Sequence, residues 1–112
     1  MKRAEHYTQQ TRANPQTGEI TRHEKFSLGR IVATPEALEA VQRAGQSPWD
    51  FLVRHVRGDW GEVCEEDRQE NELALRQGFR LLSVYTTQAD EKIWLITEAD
   101  RSVTTLLLPH DY

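Results

Sequence analysis

At Gly78 the apolar residues of this chain change their period, and that change constrains most of what it can fold into. After it, FRLLSVYTT at 79–87, KIWLIT at 92–97 and VTTLLLP at 103–109 read as strands. The polar connections Gln88–Glu91 and Glu98–Ser102 have the length that hairpins use. Three such strands in succession predict an antiparallel meander. Leu106, Leu107 and Leu108 run without alternation, which suits a strand covered on both faces or a closing strand, and Pro109 ends it where no further ladder donor is needed.

Before Gly78 the grammar is helical. Thr34 offers an N-cap and Pro35 the first helical position, followed by Ala37, Leu38, Val41 and Ala44 and a stop at Gly45. Ser47 and Pro48 repeat the signal at once, with Trp49, Leu52, Val53 and Val56 at helical spacing up to Gly58. A third helix, with a poor apolar face, is expected from about Cys64 to Gln77, with Gly78 as its C-cap. Upstream, FSLGRIVA at 26–33 reads as a strand in which Gly29 marks a bulge or a close backbone approach. The first 25 residues are polar, and Asn14-Pro15-Gln16-Thr17-Gly18 is a turn signal between Tyr7–Arg12 and Glu19–Arg22. They read as an arm or marginal hairpin. The expected architecture is therefore α+β: residues 1–25 as arm, then 26–112 as one domain of order β-α-α-α-β-β-β, with helices on one face of an antiparallel sheet.

With 112 residues, one core is the default. The balance of 14 Lys and Arg against 18 Asp and Glu gives a net charge of −4, so any nucleic-acid site has to be a local basic patch. Cys64 is the only cysteine, which excludes an intramolecular disulfide framework and points to a reducing, cytoplasmic setting. No apolar run approaches the roughly 20 residues of a spanning helix, and no signal-peptide core follows the N-terminus, so no membrane role is expected.

Three clusters carry enough polar chemistry to be sites. Arg54, His55 and Arg57 at the end of the second helix would hold a small anion; equally, the cations offset the helix dipole and His55 is a half-buried packing residue. In or near the start of the third helix, Asp59, Glu62, Glu65, Glu66, Asp67, Glu70 and Glu72 suit a solvated, dipole-stabilised N-terminus. However, Cys64, Asp67, Asn71, Leu75 and Gly78 share one stripe, so Asp67 and Asn71 either face a polar pocket or lie exposed on an obliquely docked helix. The segment 97–105 gathers Thr97, Ser102, Thr104 and Thr105 around Arg101; Thr97 and Ser102, if opposite each other, would bind phosphate with Arg101, or simply stabilise the sheet. The tripeptide Arg57-Gly58-Asp59 is a chance match to an integrin motif. His6, His23, His55 and His110 lack metal-site spacing on one element, and the acidic neighbours of Cys64 oppose a reactive thiolate. Neither metal nor cofactor is expected.

The stretches HVRGDWGEVCEEDRQENELALRQGFRLLSVYTT (55–87) and KIWLITEADRSVTTLLLPHDY (92–112) resemble a family of small, uncharacterised, plasmid-related bacterial proteins over roughly residues 26–112. More distantly, the order of strand, helices and meander is similar to the barnase, EndoU, colicin and RelE group of ribonucleases and toxins. That resemblance implies an Arg-His pair, here Arg54 and His55, facing Thr97, Ser102, Thr104 or Thr105. Two functions follow as expectations. In the first, a metal-independent ribonuclease uses His55 as acid or base while Arg54 and Arg101 stabilise phosphate charge. In the second, a non-catalytic accessory protein of a mobile element binds a protein partner through the acidic 59–72 segment, with Trp49 or Trp60 exposed as anchor. Both expect the end of helix two and the Glu98–Ser102 hairpin to form one polar surface containing His55, Arg54, Arg101 and Ser102.

Overall fold

The computed structural model describes Glu5–His6 and residues 24–112. Its elements are β1 (Glu5–His6), β2 (Arg30–Ala33), α1 (Pro35–Arg43), α2 (Pro48–Val56), α3 (Glu65–Gln77), β3 (Leu81–Thr86), β4 (Lys92–Thr97) and β5 (Val103–Leu107), closed by a 3-10 turn at Pro109–Asp111. The α+β class and the order of strand, three helices and three strands are those the sequence predicts. The expected hairpin within residues 7–22 lies outside the described residues.

Helices begin where capping chemistry places them. Thr34 accepts from the Ala37 N–H at 3.2 Å with Pro35 behind it, and Ser47 with Asp50 forms a reciprocal capping box ahead of Pro48. Such a cap contributes about 1 kcal/mol each. Cys64 caps α3 through its sulfur, and Gly78 ends the helix in the left-handed conformation at φ 78°.

The strand order is β1-β2-β5-β4-β3. The meander β3-β4-β5 is antiparallel, but β2 joins β5 in parallel, from Arg30 opposite Val103 to Ala33 opposite Leu106, so the sheet is mixed. The reason is topological: three intervening helices carry the chain across the sheet, which frees β2 from hairpin geometry. β5 thereby becomes an interior strand, and Leu106, Leu107 and Leu108 are all buried, as a run without alternation requires. β2 is shorter than FSLGRIVA suggests. Gly29, at φ 64°, lies so close to the Arg101 and Ser102 carbonyls that a Cβ there would collide with them, which is the close approach read from the sequence.

One face of the sheet presents Ile31, Ala33, Tyr85, Ile93, Leu95 and Leu106 to Ala37, Ala40 and Val41 of α1 and to Phe51 and Leu52 of α2. The third helix behaves differently. It docks at the free edge of β3, where Ala74 meets Leu81 and Trp60 in a smaller cluster with Phe26, Val63 and Leu75 against it.

That docking explains the polar stripe on α3. The Asn71 side chain donates to the Leu82 carbonyl at 2.7 Å and accepts from the Leu82 N–H at 3.1 Å. Two residues on, the Val84 N–H donates to the Trp60 carbonyl and the Val84 carbonyl accepts from Glu62 N–H. An edge strand that would otherwise offer bare donors and acceptors is thus covered. Asp67, by contrast, is exposed.

Candidate functional site

His55 is fully buried, and this decides the character of the region. Its position on the inner face of α2 puts the ring over the sheet, where Nδ1 lies 2.6 Å from the Ser83 hydroxyl and Nε2 lies 2.9 Å from that of Thr97. Thr97 is in turn 2.7 Å from Thr104, and Thr104 donates to the Leu28 carbonyl at 2.7 Å. Phe26 and Trp60 close over the ring edge-on, with centroids at 5.1 and 5.8 Å.

The proton directions in this chain follow from its last link. A carbonyl only accepts, so Thr104 spends its proton on Leu28 and its oxygen must accept from Thr97. Thr97 must then accept from Nε2–H, which leaves Nδ1 to accept from Ser83. A neutral imidazole protonated at Nε2 is the one tautomer that satisfies every bond. Desolvation, reinforced by the positive charge of Arg101, holds the His55 pKa down at about 3, consistent with that neutral form.

The candidate cations are occupied elsewhere. Arg54 pairs with Asp59 at 2.7 Å and lies over the Tyr85 ring at 4.4 Å, while the Tyr85 hydroxyl donates to the Asp59 carbonyl. Arg101 directs its guanidinium at the Phe79, Glu98, Ala99 and Ala74 carbonyls. It therefore works as a C-terminal cap for α3, neutralising the negative end of that helix. Phe26 stands between Arg101, 5.7 Å from its centroid, and His55.

The sequence-derived candidates thus separate into groups. His55, Thr97 and Thr104 come together, but inside the core. Thr97 pairs with Thr104 across the ladder rather than with Ser102, which is exposed in the turn. Thr105 alternates to the opposite face of the sheet from Thr104. Arg57 is exposed at the end of α2. Ser83 and Leu28 complete the hydrogen-bonded chain and were not singled out from the sequence; Ser83 as a polar residue inside FRLLSVYTT was the available signal.

Neither expected tryptophan anchor is exposed. Trp60 is buried with its Nε1–H donating to Glu72, and Trp49 is half-buried against the main core. Among the described residues, the exposed aromatic residues are Phe79 and Tyr112, at 52% and 55%. Arg80 donates to the Tyr112 hydroxyl at 2.6 Å and lies over its ring, which also meets Trp94 at 5.7 Å. Glu65, Glu66, Asp67 and Glu70 of α3 are all exposed; Glu65 is paired with Arg68, and Glu62, in the loop before the helix, with Lys92.

No family model, no curated protein and no solved structure matches the chain. Among the described residues, no helix is long and apolar enough to cross a membrane.

Proposed function

We propose that this chain is a non-catalytic accessory domain that binds a protein partner. The observation that carries the reading is His55: a general acid or base has to reach its substrate, and this imidazole is enclosed with both nitrogens engaged. Ribonuclease chemistry is disfavoured by the same geometry, because Arg54 and Arg101 spend their charge on Asp59 and on backbone carbonyls. The polar chain around His55 instead supports a structural role, aligning α2 with β3, β4 and β5.

What the surface offers to a partner is the exposed Phe79, Arg80 and Tyr112 and, separately, the exposed acids of α3. Aromatic residues and arginine dominate binding energy at protein interfaces, and Glu66, Asp67 and Glu70 favour a partner with basic residues around an apolar pocket. The resemblance to plasmid-related bacterial proteins suggests a mobile-element setting in the cytoplasm.

The test pairs a capture with an activity assay. Immobilised protein is expected to retain a defined partner from nuclease-treated lysate of the source cells. A Phe79→Ala, Tyr112→Ala variant with unchanged folding should lose that partner. Cleavage of a structured RNA by the wild type, abolished by His55→Gln without loss of fold, would overturn the reading in favour of the ribonuclease.

A further inference from the structure

The geometry points to a divalent transition-metal site formed by Glu36, His110 and Asp111, of the kind that takes Zn2+ with three protein donors and an open fourth position. Glu36 stands in the first turn of α1 and the other two in the 3-10 turn, so the donors meet across 74 positions of sequence. One ligand atom from each lies within 4.8 Å of the others: Glu36 Oε1 is 2.9 Å from His110 Nε2, which is 3.8 Å from Asp111 Oδ1. Tetrahedral zinc with bonds of about 2.0–2.2 Å spaces its donors roughly 3.3–3.5 Å apart, between the 2.9 and 3.8 Å separations of these donors.

The feature that separates this trio from ordinary surface acids is Asp111. Its side chain is wholly buried, and its second oxygen is held from behind by the Thr34 hydroxyl at 2.7 Å and the Leu108 N–H at 3.1 Å. Outer partners of this kind orient a ligating carboxylate, and here they turn Oδ1 toward the imidazole. Thr34 also caps α1, so the position of Asp111 is coupled to the helix that carries Glu36. A proton on Nε2 bridges to one carboxylate; a divalent ion would join all three donors. One imidazole with two carboxylates suits zinc or a neighbouring first-row ion.

Titration of tag-free protein with Zn2+ alone tests the site. The expected result is one equivalent bound, weakened more than about tenfold by His110→Ala and likewise by Glu36→Gln. Co2+ in its place should give visible d–d absorption that the same variants abolish. Because both side chains are exposed, the variants should keep the wild-type circular dichroism and melting behaviour in the absence of metal. No saturable binding, binding that either variant leaves unchanged, or binding removed by Cys64→Ser instead would each overturn the assignment.

Discussion

Asn71 closes both backbone hydrogen-bonding groups of Leu82, one with its amide and one with its carbonyl oxygen. Replacing it with Ala strands a donor and an acceptor at the sheet edge. The expected cost is about 1–3 kcal/mol, read as a lower denaturation midpoint with little change in m. Asn71→Asp keeps the acceptor but sets a carboxylate against the Leu82 carbonyl, so it should not restore stability. Concentration-dependent aggregation of Asn71→Ala, absent in the wild type, would report the uncovered strand.

The buried imidazole makes stability depend on pH. His55 titrates near 6.5 when unfolded and at about 3 when folded, so the unfolded state binds the proton first and stability falls as pH drops below about 6.5. The slope for one group is on the order of 1.4 kcal/mol per pH unit until the folded pKa is reached. Denaturation of the wild type and of His55→Gln at pH 7.5 and pH 5 separates this from the carboxylates. His55→Gln should be the less stable at pH 7.5, and the gap should narrow at pH 5. A constant gap would mean that the ring is charged or accessible in the fold.

Arg101 is expected to behave as a structural cation. Removing its guanidinium in Arg101→Ala takes the donor from the Phe79 carbonyl and leaves the Ala74 carbonyl with the Gly78 and Phe79 N–H groups alone, at a cost of about 1–3 kcal/mol for the lost charged hydrogen bonds. Arg101→Lys should recover little of it, because a single ammonium does not span carbonyls on two segments. Hydrogen exchange should locate the loosening in residues 74–80.

Gly61 predicts a sharper penalty. At φ 76° it lies against β3, and a Cβ would run into the Val84 carbonyl oxygen and the Tyr85 ring. Gly61→Ala must push the 60–62 segment off the edge strand, breaking its two bonds to Val84. A loss exceeding about 1 kcal/mol is expected by thermal or chemical denaturation.

Local signals carried the element order well. Caps at Thr34 and Ser47, the glycine at position 78 and the period change after it are short-range physics, and the elements begin and end close to those positions. The parallel pairing of β2 with β5 was not legible, since nothing within either strand states its direction relative to a partner 73 residues away. The hydroxyls of Thr97 and Thr104 were recognisable as a cluster, but their burial with His55 depends on which face of β4 and β5 the helices cover. The Glu36, His110 and Asp111 grouping leaves no spacing signal in the sequence, because its donors sit on two elements far apart along the chain.

The parallel seam between β2 and β5 also orders events during synthesis. The strand at residues 30–33 is translated early, yet the neighbour that covers its inner edge begins at residue 103. Until then α1 and α2 have half a floor to rest on, and the apolar faces of both helices stay available to chaperones or to other nascent chains. Closing so long a loop also carries an entropic cost before any reward, which favours this pairing as a late step in folding.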